Sequence, residues 1–99
     1  PNFTGARAAG SDFTAARLRS GIFVKADLQG AKFQGANLQY GDFSHARIEG
    51  ADFADADLLC GNLHATDPST ASFRGAVLKS VRYTDPERMT AETWTPTKK

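Results

Sequence analysis

A large apolar residue stands at every fifth position of this chain, from Phe3 to Tyr83, with hardly a slip. The series runs Phe3, Ala8, Phe13, Leu18, Phe23, Leu28, Phe33, Leu38, Phe43, Ile48, Phe53, Leu58, Leu63, Pro68, Phe73, Leu78, Tyr83, and only Ala8 and Pro68 fall outside the large apolar class. All seven phenylalanines lie on it. A strict short period means that one structural unit is repeated. No single unit can bury its own apolar side, so each must stack on its neighbours.

A second register of small residues precedes the first by two positions: Ala6, Ser11, Ala16, Gly21, Ala26, Ala31, Ala36, Gly41, Ala46, Ala51, Ala56, Gly61, Thr66, Ala71, Ala76. The unit is small-x-large-x-x. On an α-helix, five steps rotate a side chain by roughly 140°, so the apolar set would wind around the whole surface. On a flat strand, five steps alternate faces and send every second phenylalanine into water. The chain must therefore turn once per unit, always toward one interior. Gly or Ser at Gly5, Gly10, Ser20, Gly30, Gly35, Gly50, Gly75 and Ser80 stands two residues after the large one, a suitable place for a tight turn.

The segments Ala26-Asp27-Leu28-Gln29-Gly30, Ala36-Asn37-Leu38-Gln39-Tyr40, Ala51-Asp52-Phe53-Ala54-Asp55 and Ala56-Asp57-Leu58-Leu59-Cys60 carry the pattern A-(D/N)-(L/F)-x-x. They resemble the pentapeptide repeat family, and the chain looks most like its small cyanobacterial members. The resemblance implies an all-β fold: a right-handed quadrilateral β-helix of about four coils, 20 residues each, over residues 1–84. Residues 20 apart then stack. Phe3, Phe23, Phe43 and Leu63 form one interior column with Tyr83 above them, and Phe13, Phe33, Phe53 and Phe73 the column opposite. Ala8, Leu28, Ile48 and Pro68 line the third face, and Leu18, Leu38, Leu58 and Leu78 the fourth. On the outside, Arg7, Asp27, Arg47 and Asp67 fall in one stack and Asp12, Lys32, Asp52 and Ser72 in another, which reads as cross-coil charge ladders.

The repeat stops after Tyr83. Residues 85–99 read as a short C-terminal helical cap and tail: Asp85 as N-cap, Pro86 at the first helical position, Glu87 in the first turn, and Met89 and Trp94 as the apolar residues that cover the last coil. At the other end no capping segment precedes Phe3. Either upstream residues or another molecule covers that layer, and an end-to-end homodimer is one form of the second. The chain starts at Pro1 instead of Met, which leaves a lost targeting segment open. Asp67-Pro68-Ser69 interrupts the series. It reads as a local bulge, with a recognition loop as the alternative.

Composition excludes several classes. A net charge of +1 gives no global argument for nucleic acid. One cysteine, Cys60, rules out an internal disulfide and fits a reducing, cytoplasmic location. No apolar run approaches the ~20 residues of a membrane span. His45 and His64 share a face with Cys60 at the preceding corner, but the spacing lacks a dense ligand set, so they read as solvated surface residues and no metal or cofactor is expected. Asp27, Asp42, Asp52 and Asp57 sit in the motif's own Asp/Asn slot and are structural, so no catalytic constellation is read. Outward apolar residues Ile22, Val24, Tyr40 and Leu59 suggest a wall that binds protein. The expected role is a non-catalytic, rigid structural or protein-interaction module. The alternative implied by the resemblance is a duplex-DNA mimic that modulates DNA gyrase or topoisomerase.

Overall fold

The protein is described here by a computed structural model covering residues 1–93. Its backbone winds into a β-helix solenoid in which the residue before a large side chain pairs, in parallel, with the residue 20 positions later, with one interruption at Arg47. The pairs run Asn2 with Ile22, Arg7 with Asp27, Asp12 with Lys32 and Arg17 with Asn37, and continue upward to Asn62 with Arg82. Among the backbone bonds that recur along the array, three set the period. Phe23 N–H donates to Asp42 C=O in the winding above at 2.7 Å, and Asp27 N–H donates to Ala6 C=O in the winding below at 2.8 Å. Ala26 N–H donates back to Phe23 C=O at 3.0 Å and closes a four-residue turn. The period of five is thus one rung plus one corner.

Each corner places its third residue at positive φ. Glycine does this without steric cost, yet Ala15, Ser20, Lys25, Tyr40, His45, Asp55, Cys60, Ala65 and Ser80 do it as well, at φ 57–61°. A Cβ in that region costs roughly 1–2 kcal/mol. The turn bond and the two ladders hold such residues there, so the corner is fixed by the array and not by glycine content.

The Asp/Asn slot has a local cause. Asn2, Asp12, Asp27, Asn37, Asp42, Asp52, Asp57 and Asn62 each accept, on Oδ1, the backbone N–H two residues ahead, at 2.9–3.2 Å. That N–H belongs to the second residue of the corner. The side chain replaces the water it would otherwise need.

These bonds also decide the fate of the expected charge ladders. Arg7, Asp27 and Arg47 do stack, as do Asp12, Lys32 and Asp52. Among the described residues, however, no ion pair joins them. The carboxylates are turned to their own corners and to glutamines of the winding below: Gln34 Nε2 donates to Asp52 Oδ2 at 2.8 Å and Gln39 Nε2 to Asp57 Oδ2 at 2.6 Å. Asp12 is held below its ordinary value first by the Thr14 side chain, then by the Thr14 backbone N–H, with Lys32 the smallest contributor.

Inside, the phenylalanines form two columns. Rings within a column stack in parallel at 4.8–4.9 Å, as in Phe23 on Phe43 and Phe33 on Phe53. Rings of opposite columns meet edge to face at 5.8–6.2 Å. Both geometries suit the aromatic quadrupole, and each good pair adds roughly 0.5–1.5 kcal/mol beyond burial. A Cβ on Gly41 would lie 2.9 Å from Phe43 Cε2 and 3.0 Å from the Leu38 carbonyl oxygen, and Gly21 meets Phe23 in the same way. Ala31 and Ala51 fit beside Phe33 and Phe53 and are buried there.

Candidate functional site

The structure places the expected interior residues unequally. Leu18, Phe23, Leu28, Phe33, Leu38, Phe43, Ile48, Phe53, Leu58 and Leu63 are buried. Phe3, Phe13, Phe73 and Leu78 pack against them but are only partly covered, because each lies near an end of the stack. Tyr83 departs from the expectation. It is 48% exposed, since no winding follows it, and with Leu63, Pro68, Phe73 and Leu78 it rims a small hollow at the top. On the outer wall, Ile22 is exposed while Val24 and Leu59 are half-buried. Tyr40 is not a bare apolar surface: the Arg19 guanidinium lies 5.1 Å from its ring centre.

Among the described residues, the C-terminal segment forms the helix α1, Pro86–Thr93. Asp85 caps it, its Oδ1 accepting from Glu87 N–H at 3.0 Å and Arg88 N–H at 3.3 Å. Met89 lines a cleft on the flank of the solenoid. Trp94, the second expected cap residue, lies outside the described residues.

The helix is fastened by a cluster built on His45 and His64, two residues expected at the solvated surface. His64 is 2% exposed, buried beneath the returning segment. Its Nδ1 accepts the Asp85 backbone N–H at 3.0 Å, so its proton sits on Nε2, which donates to Glu92 Oε1 at 2.8 Å. His45, one winding below, contacts the same oxygen through Nε2 at 3.0 Å, and Arg88 Nε donates to Glu92 Oε2 at 2.9 Å. Cys60, expected nearby, is a free thiol and is not part of the cluster. Of these contacts, only the Arg88–Glu92 spacing of four on a helix was readable in advance. The fold-back that brings Glu92 to two histidines 19 residues apart has no local sequence signal.

Two imidazoles and a carboxylate within 4.8 Å of one another form a set capable of holding a divalent ion. A ligating imidazole presents a lone pair to the metal and donates its other N–H outward. His64 does the reverse: its outer nitrogen accepts from Asp85, and the inner one carries the hydrogen. The cluster is therefore built as a hydrogen-bonded clasp between α1 and the solenoid.

Hydrogen bonding from His64, with further contributions from His45 and Arg88, lowers the Glu92 carboxyl from 4.5 to about 2. A depressed acid stabilises the docked state fully above its unfolded value and loses that contribution as pH falls through its folded value. The clasp should accordingly weaken between about pH 4.5 and 2. A carbon-detected NMR titration of Glu92 should give a midpoint near 2. A midpoint at the ordinary glutamate value, about 4.3, would contradict the clasp.

Beside it lies a cleft of ≈ 350 Å³, lined below by Arg47, Ile48 and Glu49, above by Thr66, Asp67 and Thr70, and by Thr84 and Met89 of the C-terminal segment. It opens where Pro68–Thr70 form a 3₁₀ turn instead of a rung, with Asp67 Oδ1 accepting from Ser69 N–H at 3.1 Å. The bulge at Pro68 is thus a true interruption of the ladder, and Arg47 has no bridge to Asp67.

With this geometry in hand, the comparisons with known proteins are consistent in kind. The model of the pentapeptide repeats matches in eight copies, over residues 2–35 and 26–58, more than half of the chain. No curated protein matches. Among solved structures, the pentapeptide repeat protein Rfr23 from the cyanobacterium Cyanothece 51142 is 22% identical, with a TM-score of 0.44, over 75% of this chain and 54% of its own. This chain thus spans about half of the Rfr23 chain. QnrB1, a plasmid-mediated fluoroquinolone resistance protein, is 18% identical, with a TM-score of 0.28, over 97% of this chain and 85% of its own. A pentapeptide repeat protein from the Arabidopsis thaliana thylakoid lumen is 28% identical, with a TM-score of 0.20, over 84% and 72%. Among the described residues, no helix is long and apolar enough to cross a membrane.

Proposed function

Because this chain belongs to the pentapeptide repeat family, we propose that it is a rigid, non-catalytic protein-interaction module: a right-handed quadrilateral β-helix of about four coils closed by the helical segment after residue 84. One observation carries the reading. The interior is filled by stacked side chains, most carboxylates of the Asp/Asn slot are held at their own corners, and the His45–His64–Glu92 cluster is closed on itself by hydrogen bonds, so the solenoid presents walls of structurally committed groups. Walls of fixed rungs offer a partner a surface that needs little ordering on binding. The free thiol of Cys60 suits a reducing compartment such as the cytoplasm.

Mixed outward charge favours this reading over mimicry of duplex DNA, since Lys32 stands between Asp12 and Asp52, and Arg7 and Arg47 flank Asp27. Two measurements test it. Cross-linking of the tagged protein in host extract, read by mass spectrometry, should give protein adducts at wall residues such as Lys25 and Lys32; absence of any specific adduct counts against the module. Micromolar protein should leave gyrase supercoiling unchanged, and clear inhibition would move the assignment to the mimic.

A further inference from the structure

The single break in the ladder uncovers backbone groups that define a ligand. Along the face of Arg7, Asp27 and Arg47, the rung residues Asp27 and Arg47 each donate to and accept from the winding below. Asp27 N–H donates to Ala6 C=O at 2.8 Å and Asp27 C=O accepts Ala8 N–H at 2.9 Å, while Arg47 does the same with Ala26 C=O at 2.9 Å and Leu28 N–H at 2.7 Å. Asp67 should next serve Ala46 C=O and Ile48 N–H, and it does not. Its carbonyl is taken instead by Thr70 N–H at 3.2 Å and Thr70 Oγ1 at 2.7 Å. The corner bond that follows shifts by one residue, since Gly50 N–H reaches Thr70 C=O at 2.8 Å, and the next rung, Asp52 with Ser72, is intact.

Ala46 C=O, Ile48 N–H and Asp67 N–H consequently have no hydrogen-bond partner among the described residues. Residues 46–48 and Asp67 all line the ≈ 350 Å³ cleft, a volume at the lower end of the range of ligand pockets, roughly 300–1,000 Å³. One donor and one acceptor on either side of Arg47 are what a parallel strand presents to a single residue of a neighbour. At the rim the carboxylates of Glu49 and Asp67 outnumber the Arg47 guanidinium, which favours a basic ligand.

We propose that this cleft binds one extended, basic peptide segment of a partner protein by strand addition. The central peptide residue takes the rung that Asp67 vacates: its N–H donates to Ala46 C=O, and its C=O accepts from Ile48 N–H. The inference rests on the interaction-module reading and narrows it to one face.

The test uses the full chain and the synthetic peptide acetyl-Thr-Val-Lys-Val-Thr-amide, followed by amide NMR. The Ile48 and Asp67 resonances should shift saturably, and N-methylation of the peptide's lysine nitrogen should weaken binding about tenfold or more. Without peptide, the Ile48 amide should exchange about 100-fold faster than that of Leu28, whose rung is intact. Pro68→Leu places the repeat's own residue type at the break. It should restore the rung, protect the Ile48 amide and abolish peptide binding while the protein stays folded. An Ile48 amide as protected as Leu28 in the wild type, or shifts that survive N-methylation, would overturn the proposal. A folded Pro68→Leu protein that binds as well as wild type would remove the cleft yet leave the module reading standing; that reading falls with the cross-linking result instead.

Discussion

Phe33→Ala is expected to lower stability by about 3–5 kcal/mol, the range for deleting a fully buried phenylalanine. Phe33 is wholly buried, with Phe13 and Phe53 stacked on its two faces at 4.9 and 4.8 Å and the edges of Phe23 and Phe43 at 5.9 and 6.1 Å. Alanine removes all four contacts at once. The rungs fix the spacing of the windings, so the surrounding structure has little freedom to collapse into the space. Phe13→Ala should cost less, because Phe13 is already partly exposed near the end of the stack. Urea unfolding of the two variants measures the difference, and equal costs would mean that the column is not continuous.

The second large effect is of the opposite kind. Ala51→Leu should destabilise by about 1–3 kcal/mol or more through overpacking. Ala51 is 1% exposed, and its backbone is tied on both sides, N–H to Ile48 C=O at 2.9 Å and C=O to Ser72 N–H at 3.0 Å, so it has no room to withdraw. Gly41→Ala tests the same interior with one methyl, at the position where a Cβ would press on Phe43. Lys32→Leu makes a larger change on the outward slot of the same wall, and should stay within about 0.5 kcal/mol of wild type. Melting curves for the three separate inward from outward positions.

Much of the interior was legible because a strict period leaves one consistent solution. Phe23 and Phe43 share a column for the same reason that they share a residue type: each sits on its equivalent in the next winding. The N-cap at Asp85 was legible too, since it depends on neighbours in sequence. What stayed hidden depends on contacts distant along the chain. Tyr40 and Lys25 adopt the positive-φ corner because the ladders above and below impose it, although neither residue type favours it. The aspartates read as rungs of a charge ladder, but the nearer N–H of their own corner won. His64 looked solvated until α1 folded back over it, and nothing in the residues around position 64 foretells Glu92.

Residues n and n+20 lie one above another around a filled interior. Scalar couplings across hydrogen bonds report this pairing directly in solution. Couplings are expected from Phe23 N–H to the Asp42 carbonyl and from Phe33 N–H to the Asp52 carbonyl, matching the 2.7 Å bonds of the structure. Couplings that instead link each N–H to a carbonyl four residues earlier, as in an ordinary α-helix, would contradict it.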